Sequence, residues 1–191
     1  IEIQGVKRTQ AVFQATLAAC AKMGRWRECI LTLEKMRVSD MKPQVVAYNS
    51  VITACGRGME WQRALAVLQQ MSSRGVTPDT ITFNAAMAAC AQSMQWRQAR
   101  ALLAFMRDPK SAAAGQFAGL EPAAPGTARD SRGGSEAEGS GLVNGDSGWS
   151  RKGVWPPRPD AVSFHVVMKA LVAAGMWEEA HEVLVEMRDE R

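Results

Sequence analysis

Residues 45–79 read VVAYNSVITACGRGMEWQRALAVLQQMSSRGVTPD, and this stretch decides the fold. Tyr48, Ile52 and Cys55 fall at i, i+4 and i+7, which is one stripe of an α-helix. A break follows at Gly56-Arg57-Gly58. Trp61, Ala64, Leu68 and Met71 then fall at i, i+3, i+7 and i+10, a second stripe. Gly75 stands where a helix end profits from a residue that tolerates positive φ. Pro78 prevents the second helix from running on. The segment therefore predicts helix, short turn, helix, loop.

The same landmarks recur on both sides at a step of 35 residues. Trp26, Trp61 and Trp96 keep it, as do Cys20, Cys55 and Cys90, and Met36, Met71 and Met106. Pro43 and Pro78 repeat it, and so do Asn49 and Asn84. Trp177, Met187 and Pro159 each follow their counterparts by 81 residues, so one copy carries an insertion of 46. A fixed period of this length means a stacked array of one small unit, in which each copy buries its face on its neighbours. The expected fold is all-α, a right-handed α-solenoid of helix-turn-helix repeats with one long disordered insertion. The expected boundaries are 1–9 for an N-terminal flank, 10–44 and 45–79 for the first two units, 80–160 for the third with its insertion at about 110–155, and 161–191 for a truncated fourth.

Stripes of the same kind define the other first helices through Phe13, Leu17 and Cys20, through Phe83, Met87 and Cys90, and through Phe164, Met168 and Leu171. Small residues recur where two helix axes must approach, with Ala54, Ala89 and Ala170 on first helices and Ala64, Ala99 and Ala180 on second ones. The tryptophan of each unit lies on the stripe of Ala, Leu and Met, so it is expected in the core, as is the methionine stripe.

The formal net charge is +4, mildly basic and compatible with a nucleic-acid partner. The four cysteines form no Cys-x-x-Cys pair, and Cys20, Cys55 and Cys90 sit at equivalent places in successive units. Helices in a stack lie roughly 8–10 Å apart, beyond the ~7 Å that lets two Cα atoms be bridged. Small core thiols in a reducing compartment are expected, with no metal and no cofactor. No apolar run is long enough to span a bilayer and no secretory signal is visible. The chain begins at Ile1 and ends at Arg191 inside the fourth unit, which reads as a fragment of a longer protein.

Residues from about 110 to 155 have another composition. Ten of the sixteen glycines lie between Gly115 and Gly153, with no helical or strand period. Such a segment lacks the apolar surface to order itself. Extending a loop to this length costs only about 2 kcal/mol in closure entropy, so the stack can close across it. Trp149 and Trp155, near Arg151 and Lys152, stand outside the repeat register.

The unit openings Val45-Val46-Ala47-Tyr48-Asn49 and Thr80-Ile81-Thr82-Phe83-Asn84, and the ending Gly75-Val76-Thr77-Pro78-Asp79, resemble the pentatricopeptide-repeat family, P-type, over Gln10 to Asp108 and Pro159 to Arg191. The resemblance implies an α-solenoid that binds single-stranded RNA in mitochondria or plastids, one base per unit. In that family the fifth and last residues of a unit read the base and the second flanks it. Carried over, Asn49 and Asp79 with Val46 form one reading position, and Asn84 and Asp160 with Ile81 the next. The family's code for Asn with Asp is uracil. The outer units depart from this pattern. The first has Gln14 and Gln44 with Ala11 as flank, and the fourth has His165 with Val162. Lys22 and Arg57 share one place at the end of the first helix and are candidate phosphate contacts.

An amide at the fifth place suits this task on its own chemistry, since Asn offers a donor and an acceptor to a base edge. The expected function is sequence-selective RNA binding without catalysis, serving organelle RNA processing, stability, editing or translation. The alternative is a protein–protein scaffold of the helical-repeat type, which an acidic or apolar groove would favour. The stretches read as repeats show no carboxylate cluster of the kind a two-metal nuclease requires.

Overall fold

The computed structural model describes residues 10–108 and 156–189. The proposed insertion, with Trp149 and Trp155, lies outside the described residues. Among the described residues eight helices follow one another: α1 (Gln10–Lys22), α2 (Trp26–Val38), α3 (Val45–Arg57), α4 (Trp61–Ser73), α5 (Thr80–Gln92), α6 (Trp96–Arg107), α7 (Ala161–Ala173) and α8 (Trp177–Asp189). The described residues contain no strand. The fold is an all-α solenoid of helix pairs.

Two layers result. The first helices of the pairs pack on one another in the order α1, α3, α5, α7. Of the second helices, α2, α4 and α6 each touch their own partner and the first helix of the next pair, while α8 touches α7. Successive second helices make no close backbone contact among the described residues. The inner layer is therefore tight and the outer one splayed. Side-chain size is the cause. Gly56 in α3 faces Ala89 in α5 so closely that a Cβ at Gly56 would lie 3.0 Å from the Ala89 Cα.

One continuous core runs through the stack, with Leu17, Tyr48, Ile52, Phe83, Met87 and Leu171 buried in it. Met36, Met71 and Met106 join it from the second helices. Each such side chain contributes roughly 1.5–3 kcal/mol relative to exposure. Cys29, Cys55 and Cys90 are free and buried, and Cys20 is free and half-buried. Burial pushes the Cys90 thiol up to about 12 and the Cys55 thiol up to about 11. Both are therefore inert at neutral pH.

α7 packs on α5 as α5 packs on α3 and α3 on α1. Across the same junction Arg100 in α6 donates to Glu179 at 3.0 Å and Glu182 at 2.8 Å, and Arg107 pairs with Glu186 at 2.7 Å. Thr80 Oγ1 reaches the Arg158 carbonyl at 3.4 Å.

Two expectations are corrected. The break expected at Gly56-Arg57-Gly58 falls later, because α3 continues through Arg57. The residue with positive φ is Met59, at 61°. Its counterparts are Gly24 at 67°, Met94 at 58° and Gly175 at 76°. In each turn the next N–H bonds back to the helix, as Glu60 N–H does to the Cys55 carbonyl at 2.9 Å. That is the αL cap of a Schellman ending.

The tryptophans are not in the core. Trp26, Trp61 and Trp96 are half-buried against it, and Trp177 is 67% exposed. Each is the first residue of its helix, and helical side chains lean toward the N-terminus. The indole therefore lies over the turn and at the border with the next pair. Arg63 of the following pair lies over the Trp26 ring, 4.2 Å from its centroid. A Cβ at Gly58 would sit 2.4 Å from the Trp26 Cδ1, so a larger residue there would force the indole or the turn to shift. No further pair follows α8 among the described residues to cover Trp177 in the same way.

Candidate nucleic-acid interface

The outward face of the inner layer is built by residues at i, i+3, i+7 and i+11 of each first helix. On α3 these are Val46, Asn49, Thr53 and Arg57; on α5 they are Ile81, Asn84, Ala88 and Gln92; on α7 they are Val162, His165, Lys169 and Ala173. Stacking in register turns them into rows across the helices. One row is aliphatic and open to solvent, with Val46 60%, Ile81 65% and Val162 54% exposed. Leaving three such side chains outside the core is a recurring choice of the fold, since the residue after each of them, Ala47, Thr82 or Ser163, is fully buried. The row beside it is Asn49, Asn84 and His165, followed by the basic groups Arg57 and Lys169.

Asn49 and Asn84 are held by the start of the next pair. Asp79 and Asp160 precede α5 and α7 in extended backbone and cap them. Asp79 Oδ1 accepts from the Thr82 N–H at 2.7 Å, and the Asp79 N–H donates to Thr82 Oγ1 at 3.2 Å. Asp160 does the same with Ser163, at 2.8 and 3.1 Å. These are reciprocal capping boxes. From them the network reaches across to the preceding helix. Asn49 Nδ2 donates toward Asp79 Oδ1 at 3.5 Å, and Asn84 Nδ2 to Asp160 Oδ1 at 3.1 Å. Thr82 Oγ1 donates to Asn49 Oδ1 at 2.7 Å, and Ser163 Oγ to Asn84 Oδ1 at 2.6 Å. Burial pushes the Asp160 carboxyl up. The Ser163 N–H, the Asn84 amide, the Ser163 hydroxyl and the Val162 N–H outweigh that and hold it below the ordinary carboxylate value.

Each amide therefore spends one N–H and one lone pair inside the protein and keeps one of each for a ligand. Thr82 and Ser163 were not among the residues singled out by sequence. Their signal was present as Asp-x-x-Thr and Asp-x-x-Ser at the helix starts.

The outer positions differ. Gln44 precedes α3 in the same extended conformation but makes no side-chain cap, and the third residue of that helix is Ala47. Among the described residues no side-chain hydrogen bond joins Gln14 to Gln44, and both Gln44 and Ala11 are exposed. His165 is exposed on the row, and among the described residues no further pair lies beside it. Lys22 and Arg57 are exposed at the far end of the face, but Arg57 Nη1 donates to the Lys22 carbonyl at 2.6 Å. That bond ties Arg57 to the end of α1 and leaves its other guanidinium donors for an anion.

Acidic side chains, unlike basic ones, are sorted between the layers. The four inner helices carry no Asp or Glu, and their basic residues are Lys22, Arg57 and Lys169. Carboxylates sit on the second helices and at the loops. Among the described residues no group of three or more His, Cys, Asp or Glu side chains could hold a metal ion. No described helix is long and apolar enough to cross a membrane.

No curated protein matches the chain. Among solved structures it is similar to the pentatricopeptide repeat protein PPR10 in complex with an 18-nt psaJ RNA element, at 15% identity and TM-score 0.41. A Cys-to-Ser variant of PPR10 with the same RNA element gives the same identity and TM-score. Either match covers 97% of this chain, which spans 30% of the length of those proteins. Family models describe the repeats directly. The pentatricopeptide repeat domain matches residues 1–59, the PPR repeat family 43–92, and the PPR repeat 81–108 and 162–191. Together these matches span all four helix pairs, and the chain belongs to the pentatricopeptide-repeat family.

Proposed function

We propose that this chain binds single-stranded RNA along the outward face of α1, α3, α5 and α7, one base per helix pair. The carrying observation is the pair of successive Asn–Asp–hydroxyl networks, each presenting a fixed amide between exposed aliphatic side chains. A base between Val46 and Ile81 would meet the free edge of Asn49, and one between Ile81 and Val162 that of Asn84. An amide donor and acceptor complement the alternating edge of uracil. The acid-free inner helices favour a phosphate backbone over a basic peptide, which distinguishes this reading from a protein scaffold. Both carboxylates near the face are engaged by donors and hold the amides while keeping their negative charge.

The reading assigns no catalysis to these residues. The chain would act by occupying RNA, thereby shielding or exposing a site for processing, editing or translation, in a mitochondrion or plastid as the family implies. Two fully formed positions, at roughly 1–3 kcal/mol per stacked base, give weak binding. Filter binding to U-rich, C-rich and A-rich RNA should show preference for the first. The log of affinity should fall with log salt at about −0.7 per neutralised phosphate. Equal, salt-independent binding to all three would defeat the proposal.

A further inference from the structure

We infer that the cavity between the ends of α2 and α4, with Tyr48 at its floor, is a binding site for a phosphate monoester of the nucleotide type. None of its walls belongs to the amide row. It is tested with free phosphate compounds, so it stands or falls apart from the RNA reading.

The cavity measures about 430 Å³, within the roughly 300–1,000 Å³ usual for small-ligand sites. Arg37 in the last turn of α2, Lys42 in the following loop and Arg74 at the end of α4 supply its cations. Met41, Pro43 and Val76 supply an apolar side. Tyr48, in the first turn of α3, is 1% exposed, and its hydroxyl makes no hydrogen bond among the described residues. A buried tyrosine hydroxyl ordinarily finds a partner. The one described side-chain atom that is both sealed and unpartnered is Ser93 Oγ. The Tyr48 hydroxyl is therefore not sealed in the core but opens into the cavity that its residue lines. Burial pushes its pKa up, and Arg74 and Arg37 pull against that, so it remains a proton donor at neutral pH.

The cations are available. Lys42 and Arg74 form no ion pair among the described residues. Arg37 gives Nη1 to Glu34 at 2.6 Å and keeps its other donors. Neither arginine is needed to cap its helix, because the backbone does so. The Met41 N–H serves the Met36 carbonyl at 3.0 Å, and the Val76 N–H serves the Met71 carbonyl at 3.1 Å. Asp40 is the acid in the wall, and with Glu34 it leaves the cations ahead by three to two. A phosphate monoester, with a charge of about −1.5 to −2 at pH 7, gains most from such a set. Its oxygens accept from the guanidinium groups and the hydroxyl together. The apolar side then packs against the nucleoside.

The next junction is a built-in contrast. There Phe83 stands in the place of Tyr48, Ser72 in that of Arg37 and Thr77 in that of Lys42. Phe83 is buried as completely as Tyr48, so the ring alone satisfies the packing and the hydroxyl is extra.

The test is a titration of the full chain, followed by NMR, with inorganic phosphate, uridine 5′-monophosphate and uridine. Tyr48 is the chain's single tyrosine, so tyrosine labelling gives one ring reporter. The backbone amides of Met41 and Val76 report in every variant. Phosphate and the monophosphate should shift these signals saturably, the monophosphate at lower concentration, and uridine should not. Tyr48→Phe and Arg74→Gln should each weaken the monophosphate about tenfold, the worth of a hydrogen bond to a charged group. Phe at the equivalent places and the exposure of Arg74 keep both variants folded. A short RNA with and without a 5′-phosphate separates the sources of the group. A shift that requires the terminal phosphate also supports the site and assigns it to a strand end. Absence of a saturable shift with every phosphate compound would overturn the inference. So would equal shifts with uridine and its monophosphate, or unchanged affinity in both variants.

Discussion

Replacing Gln44 with Asp should stabilise the protein, and the structure sets the size of the gain. Gln44 is the residue before α3, with φ −91° and ψ 171°. Asp79 before α5 has φ −104° and ψ 177°, and Asp160 before α7 has φ −112° and ψ 177°. The backbone at Gln44 is thus already that of a capped helix, and only the side chain is wrong. A Gln carries one methylene too many to close the short ring back to the third N–H of the helix. An Asp closes it, and such a cap contributes about 1 kcal/mol. The negative charge at the helix N-terminus adds roughly 0.3–1 kcal/mol at an exposed site. Because Ala47 offers no hydroxyl, the reciprocal half of the box is missing, so about 1 kcal/mol in total is the expected gain. For a folded unit of this size that corresponds to about 3–5 °C in Tm. The mirror experiment is Asp79→Ala, which removes a complete box and should cost about 1–2 kcal/mol. Circular dichroism melts and urea titrations with unchanged m would read both. A neutral or destabilising Gln44→Asp, beside an Asp79→Ala that costs nothing, would refute the idea that these caps join one unit to the next.

Met59→Gly and Met94→Gly should each raise stability by about 0.5–1 kcal/mol, because relief of the αL cost of about 1–2 kcal/mol outweighs the extra freedom of glycine in the unfolded chain; thermal melts of the single variants check this. Gly58→Val should destabilise by about 1–3 kcal/mol, since its Cβ would enter the Trp26 indole, and tryptophan fluorescence should shift with it. Asp160 has a folded pKa below its ordinary value, so its contribution is complete above the unfolded carboxylate pKa and is lost as pH falls through the folded one. The stability gap between wild type and Asp160→Asn should accordingly be constant above about pH 5 and close below about pH 4, as read by melts at stepped pH.

Most of the architecture was legible in the chain because it follows from periodicity. A 35-residue step, two apolar stripes and a Gly–Pro ending leave little choice but stacked helix pairs. Asn49, Asn84, Asp79 and Asp160 could be named from the family's spacing alone. The place of the tryptophans could not, because a stripe reports which side a residue faces and not how deeply it lies. Trp26 opens its helix and leans over a turn, so the next pair's Arg63 and Gly58 decide its surroundings. The α3 turn was misplaced for a related reason. Gly56 looked like a breaker but serves as a spacer, since what it accommodates is Ala89 in another helix.

The sequence by itself determined the repeat, the helix pairs and the absence of acidic residues from the inner helices, since all three are properties of order along the chain. Only the tertiary structure decided that Thr82 and Ser163 grip amides 33 and 79 residues earlier. Those bonds exist because stacking brings the start of one helix beside the exposed row of the helix before it, a proximity that no local pattern encodes.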